Sequence, residues 1–187
     1  MIHSVRFTCV LDTNVIYPID TRDLLLWFAH FELFTPKWSK HIFDEWTKVM
    51  ESKNVTQTDI EKRIENVNTA FPDALVENYE SLIESLELPD NDDCHVLAAA
   101  IKTNANVIVT NNLKDFPSDY LASFGLTAKS ADDFITDTID LNQEMAVKAF
   151  RVLVSHKRNP DLDEFEVLER YRNIGLNESA NYLHALL

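Results

Sequence analysis

Glycine is nearly missing from this chain, with two residues in 187, and cysteine is as rare. So few glycines leave turns to Asn, Asp and Pro. Cys9 sits in an apolar run and Cys94 in a small-residue segment. Neither has metal-ligand spacing, so both read as buried apolar side chains rather than a disulfide, which suits a reducing compartment. No apolar run approaches the ~18 residues that a membrane helix needs, and no apolar leader opens the sequence, so a cytoplasmic protein without membrane contact is expected. Basic residues are scarce too: 17 Lys and Arg face 31 Asp and Glu, for a formal charge of −14. That sign opposes phosphate binding, which Lys and Arg normally drive by releasing counterions. With 45% hydrophobic residues, the chain can build one α/β domain and a small helical appendix. It contains no internal repeat or low-complexity segment.

Periodicity gives a strand at residues 5–11, a helix at 21–32, a short strand at 33–35 and a helix at 39–51. A further helix spans 56–70, with Thr58 and Glu61 spaced as a capping box. Short strands are expected at 75–76 and 85–88, then a helix opening near Asp93 and a strand at 107–110. This alternation implies a central parallel sheet with helices on both faces. From Ser130 onward the pattern is wholly helical: one helix starts at 130, another covers 142–155, and Pro160 separates it from 162–172. Gly175 ends that helix, and 178–187 makes the last. The expected division is therefore an α/β domain over 1–129 and a helical segment over 130–187.

Four acids stand where such a fold gathers its functional ends. Asp12 closes the apolar run RFTCVL, and ligands of open parallel sheets collect beyond the carboxyl ends of strands. It could equally be a turn or N-cap residue. In SKHIFDEWTKVM the apolar residues Ile42, Phe43, Trp46, Val49 and Met50 form one stripe; Glu45 borders it and Asp44 faces away. A solvated boundary Glu is the alternative there. In PDNDDCHVLAAA, Asp93 shares a face with Leu97, Ala100 and Ile101, whereas His95 and Lys102 are expected to point outward. An inward acid needs a partner, and its place in a first helical turn favours the ionised form. Helix-start decoration is the simpler reading of Asp92 and Asp93. After the strand at 107–110, Thr110, Asn112 and Asp115 repeat the position and chemistry of Asp12. Together the four acids read as a pocket for a divalent metal. Of the six histidines, only His41, beside Glu45, merits attention.

These segments resemble the PIN-domain nucleases, and among them the VapC-type toxins with an added helical C-terminal segment. The resemblance rests on VLDTNVIYP with the following RDLLL, on PKWSKHIFDEW, on PDNDDCHVLAAA and on NVIVTNNLKDFP, in the family's order and over most of the chain. It implies a three-layer α/β/α fold and a Mg²⁺-dependent endoribonuclease, with Mn²⁺ able to substitute. The implied catalytic and metal-binding acids are Asp12, Glu45, Asp93 and Asp115, supported by Asn14, Asp90, Thr110 and Asn112. Many members carry an acid two residues after the strand-ending Thr, where this chain has the amide of Asn112, which removes one negative charge. The family frame further implies an RNA substrate, a cognate antitoxin with a basic segment suited to the acidic pocket, and a homodimer as one assembly.

Two basic groups soften the adverse charge. Lys37, Lys40 and Lys48 lie near the Glu45 helix, and Lys148, Arg151 and Arg158 are expected near one helical face. Either could meet RNA or an acidic partner surface, or be a solvated face. A haloacid-dehalogenase-like phosphatase fits less well. It would want a second acid where Asn14 stands, and its acidic pair would follow the Thr strand, whereas Asp92 and Asp93 precede it. A non-catalytic interaction module is the other alternative, and it is opposed by the retained acids.

Overall fold

The computed structural model describes residues 7–187. The chain runs through β1 (Thr8–Leu11), the single turn α1 (Thr13–Ile16), α2 (Ile19–His30), β2 (Thr35–Ser39), α3 (Lys40–Ser52), α4 (Gln57–Ala70), β3 (Leu75–Val76) and α5 (Glu80–Ile83). A 3₁₀ turn at Asn91–Asp93 leads into α6 (Cys94–Lys102) and β4 (Val107–Val109). A second 3₁₀ turn at Leu113–Asp115 precedes α7 (Ser118–Ala122) and β5 (Thr127–Lys129). Then come α8 (Ala131–Leu141), α9 (Gln143–His156), α10 (Glu164–Asn173) and α11 (Asn177–Leu186).

The five strands are all parallel, in the order β3-β2-β1-β4-β5. The order reverses direction between β1 and β4, which creates a crevice at their carboxyl ends. Leu11 pairs with Val109 there, so Asp12 and Thr110 leave the sheet side by side. Pro36 is tolerated in β2 because β3 pairs only with Trp38 and Ser39, leaving the proline at a free edge.

The chain forms two compact units. In the sheet unit, Phe7–Tyr17 with Thr35–Lys129, β1 is buried through Cys9, Val10 and Leu11. The stripe expected on α3 is buried at Ile42, Phe43, Trp46 and Met50. Trp38 is wholly buried, and its indole N–H donates to Asn68 Oδ1 at 3.1 Å, so the ring adds apolar area without an orphaned donor. Helix α6 packs on β1, β2 and β4. It is buried all round from Cys94 to Ala100.

In the helical unit, Pro18–Phe34 with Ser130–Leu187, α2 packs on α9. Lys157 Nζ fixes that contact by reaching Asp20 at 2.7 Å and Asp23 at 3.6 Å. The N-terminus of α11 has no cap of its own; the Asp132 carboxylate on α8 supplies one, accepting from Glu178 N and Ser179 N at 2.9 and 2.8 Å. Phe34 and Phe134 meet edge to face at 5.0 Å in the same core.

Several expectations shift by a few residues, and some fail. The first strand is found, although its expected start at residues 5 and 6 lies outside the described residues. The strand expected at 33–35 is β2, displaced to 35–39, because Pro36 and Lys37 disguise it as a loop. Residues 85–88 form no strand: Leu86 and Leu88 are buried, but their backbone joins no ladder. The turns α1 and α5 and the strand β5 had no sequence signal; β5 is three residues long and only partly buried. Helix α4 is capped by Thr56, which accepts from Asp59 N, and not from Thr58. Thr56→Ala should cost about 1 kcal/mol of stability and Thr58→Ala almost nothing, read from denaturant midpoints. Asn replaces glycine as expected: Asn54, Asn78 and Asn104 occupy the left-handed region at φ of 59°, 58° and 49°.

Candidate active site

Asp12 begins the site. It ends β1, is buried, and accepts from Thr13 N at 2.6 Å on Oδ1, and from Asn14 Nδ2 at 2.6 Å and Thr110 Oγ1 at 2.7 Å on Oδ2. The cap reading of Asp12 is therefore found, and the same side chain stands at the carboxyl end of β1, beside Thr110. Thr110 in turn accepts from Asn14 Nδ2 and Asn112 N, and Asn14 Oδ1 accepts from Asn111 N. This network stitches the ends of β1 and β4 together with its donors and acceptors matched. Burial pushes the Asp12 carboxyl up, and the Thr110 and Thr13 bonds oppose that.

Glu45 arrives from α3, half buried. Its Oε2 accepts from the Thr13 hydroxyl, and its Oε1 faces His95 Nε2 at 2.9 Å. Burial raises its pKa, but the His95 and Thr13 bonds, with the positive field of Lys48, outweigh it and hold the carboxyl below its usual value.

Asp93 caps α6 by position, with no capping bond from its side chain. Burial, then the charges of Asp12, Asp90, Asp115 and Glu45, push its pKa up to about 6. Asp90 closes the preceding turn by accepting from Asp92 N. Oxygen atoms of Asp90, Asp93 and Asp115 lie within 4.8 Å of one another. Asp115 is buried and accepts from Asn112 Nδ2, which also reaches Asp93 at 3.4 Å. The amide at 112 thus bridges two acids, where an acid would add repulsion.

The fold brings Asp12, Asn14, Glu45, Asp90, Asp93, Thr110, Asn112 and Asp115 together. The carboxylates and amide carbonyls offer hard oxygens, a cation would relieve the repulsion on Asp93, and the amine of Lys114 stands 3.8 Å from Asp115 on an exposed chain. That set fits Mg²⁺ or Mn²⁺. It does not resemble a Zn²⁺ site, which favours Cys and His.

His95 was expected to point outward and does not. It is 7% exposed, bonded to Glu45, and stacked on His41 at 5.2 Å. Helical periodicity misassigned His95 because Cys94 to Ala100 are all buried and α6 reaches solvent only at its end, at Lys102. A lone imidazole in the run CHVLAAA was the available signal, since a buried polar ring needs a partner. His41, flagged for its closeness to Glu45, instead stacks on His95 and bonds the Tyr79 hydroxyl.

Among the described residues, none of the basic side chains singled out in the sequence hydrogen-bonds the acids of this network, although the charge of Lys48 acts on Glu45. Lys37 donates to the Asp73 carbonyl, Lys40 pairs with Asp44, and Lys48 is exposed on the Glu45 helix. In the helical unit Lys148 lies over the Phe31 ring and Arg151 pairs with Glu164. Arg158 is not on the α9 face: the helix ends at His156, where Lys157 turns extended toward Asp20, and Arg158 bridges Asp161 instead.

Residues 8–114 match the family model described as PIN domain, and residues 131–185 match the model described as VapC50 C-terminal domain. A protein of Mycobacterium tuberculosis (strain ATCC 25618 / H37Rv), described as "Putative ribonuclease VapC50", is 53% identical over 57 residues, covering 30% of this chain and 33% of that protein. The chain therefore spans about a third of that relative. No solved structure matches. The parallel sheet, its acidic crevice and the match over residues 8–114 agree, and the chain belongs to the PIN-domain family.

Proposed function

We propose that the chain is a Mg²⁺-dependent endoribonuclease and the toxin of a type II toxin–antitoxin pair. One observation carries this reading: acids from β1, α3, the α6 turn and the segment after β4 converge, with oxygens of Asp90, Asp93 and Asp115 within 4.8 Å of one another, and burial together with the neighbouring charges raises the Asp93 carboxyl. Family membership supports it, as does a relative described as a ribonuclease.

In this reading Asp12, Glu45, Asp93 and Asp115 are the catalytic and metal-binding acids, with Asp90 beside them. When bound, the metal supplies neutralisation of phosphate charge and a more acidic water; Mg²⁺ serves, with Mn²⁺ as a substitute. The protein's part is to fix the acids. Thr110 and Asn14 hold Asp12, Thr13 and His95 hold Glu45, and Asn112 spaces Asp93 from Asp115. Lys48, exposed on the Glu45 helix, is placed to meet a phosphate. Water adds to phosphorus as the bond to the 3′-oxygen breaks, leaving a 5′-phosphate and a 3′-hydroxyl.

Residues 1–129 would carry the nuclease and 130–187 the helical segment. The separate family matches on either side of residue 130 support that division. Residues 18–34 nevertheless cluster with the C-terminal helices, so the two parts share a core element. An antitoxin with an Arg- or Lys-bearing segment would neutralise the acid cluster. No helix among the described residues is long and apolar enough to cross a membrane.

The test is cleavage of a mixed structured RNA pool by purified protein in Mg²⁺, Mn²⁺ or EDTA, beside Asp12→Asn. Several kcal/mol of transition-state stabilisation rest on such a site, so losses of at least ~100-fold are expected in EDTA and in the variant. Cutting that survives both would overturn the metal assignment. No cutting under any condition would favour a binding module.

A further inference from the structure

We infer that His95 is a positioning residue, whose Nε2–H and the Thr13 hydroxyl grip the two oxygens of Glu45 and fix its orientation toward the acid cluster. The purpose assigned to that grip rests on the proposed metal-dependent reading.

Glu45 is the one acid of the cluster delivered by α3, on a long side chain with three rotatable bonds. Left alone it would sample several rotamers, and ordering such a chain costs side-chain entropy. Two donors remove that freedom. Thr13 comes from α1, directly after the Asp12 cap, and binds Oε2. His95 comes from α6, two residues beyond Asp93, and lies 2.9 Å from Oε1. The Glu45 orientation is thereby tied to the two chain segments that carry Asp12 and Asp93.

The position of the ring proton follows from burial. His95 Nδ1 is buried and has no hydrogen-bond partner, while Nε2 faces a carboxylate. A proton on Nδ1 alone would leave a buried donor unsatisfied and set the Nε2 lone pair against the Glu45 oxygen. The favoured tautomer therefore carries its proton on Nε2 and donates it to Oε1. The ring cannot swing away, because His41 stacks on it with an interplanar angle of 24° and is itself bonded to the Tyr79 hydroxyl. Outer partners of metal-binding carboxylates are part of such sites, and losing one typically costs ~10–100-fold in metal affinity or activity.

Side-chain shape allows a discriminating test. A Gln amide nitrogen can reach the place of Nε2, an Asn amide reaches only that of Nδ1, and Phe keeps the ring without a donor. In titrations of full-length protein with Mn²⁺ alone, followed by the resonance of free Mn²⁺, His95→Gln should stay within about threefold of the parent. His95→Asn and His95→Phe should bind ~10–100-fold more weakly. Thermal melts show that each variant is folded. If the ring serves only to fill space, Phe will equal the parent and Gln will not, and the inference falls. Equal affinity in all three variants also overturns it.

A second readout needs no metal. In nitrogen-15 spectra of the histidine rings of the metal-free parent, His95 should show a proton on Nε2 that exchanges slowly with water, and exchange should quicken in Glu45→Ala. A proton found on Nδ1 alone overturns the inference. The expected signature in a parent that binds no Mn²⁺ leaves the grip in place and overturns the metal reading instead.

Discussion

Asp93→Asn is expected to abolish RNA cleavage and, at the same time, to raise the melting temperature of the metal-free protein. The two effects share one cause. Asp93 stands among Asp12, Asp90, Asp115 and Glu45, and burial plus their charges lift its carboxyl from 3.8 to about 6. A folded-state pKa above the unfolded value means that folding favours the protonated acid. Stability from this group is full below the unfolded value near 3.8, declines as pH rises through 6, and is at its lowest at pH 8. An amide carries no charge at any of these pH values, so the substitution removes the repulsion. Because Asp93 is partly exposed, solvent screens the effect, and about 1 kcal/mol, or a rise of ~2–4 °C, is reasonable at pH 8 in EDTA. The gain should vanish near pH 4. Activity moves the other way, since a cluster that repels itself is one that a cation stabilises. The cleavage rate in Mg²⁺ should fall by more than the ~10–100-fold typical of losing an outer partner. Melts and cleavage assays on one preparation check both halves. A variant that melts lower and still cuts would show that Asp93 is an ordinary helix-start acid.

The grouping of these acids was partly legible in the sequence. Asp12 and Thr110 stood out because apolar β-branched runs stopped at polar residues, and parallel pairing of Leu11 with Val109 sets them side by side. Glu45 stood out because a charge bordered the buried stripe of α3. What periodicity could not reach was α6. Its seven leading residues are all buried, so a rule built on one buried face assigned His95 to solvent. The same rule placed Arg158 on a helix that Lys157 ends by turning toward Asp20 and Asp23. Ion pairs between residues 137 apart leave no local trace. For the same reason the clustering of residues 18–34 with 130–187 was invisible, although both segments read correctly as helical.

The helical segment was otherwise easy to read because its signals are local. Ser130 and Asn142 cap α8 and α9, and Asp163 with Glu166 completes a capping box on α10. Gly175 takes φ of 92°, a conformation that L side chains rarely adopt. Strand signals did not follow length: the two-residue β3 lies where it was expected, the five-residue β2 was displaced, and the three-residue β5 was missed. The adverse charge of −14 also has a local explanation. Part of it is concentrated in the acid cluster, where a divalent cation would neutralise it.

Cation binding should accordingly be steeply dependent on pH, with a midpoint set by the burial of Asp93 and by its acidic neighbours. A proton and a metal compete for the same carboxylate. Above pH 7 Asp93 is ionised and Mn²⁺ affinity should be nearly flat; below its value of about 6 the affinity should fall roughly tenfold per pH unit, until other acids protonate as well. The isolated carboxyl at 3.8 would place this fall about two units lower, so the midpoint reports the burial of Asp93 together with the charges of its neighbours. Asp90 offers a way to move it. That acid is exposed, and its charge helps to raise Asp93. Asp90→Asn removes a like charge, so the Asp93 carboxyl should ionise more readily and the fall in affinity should begin at lower pH. It also exchanges one of three close carboxylates for a neutral amide, so affinity at pH 8 should drop. Lower affinity at high pH together with a midpoint shifted downward is a combination that general loosening of the site does not produce. Mn²⁺ titrations of the parent and Asp90→Asn between pH 4.5 and 8 decide the matter, and a parent midpoint near 4 would mean that neither burial nor the neighbouring acids act on Asp93.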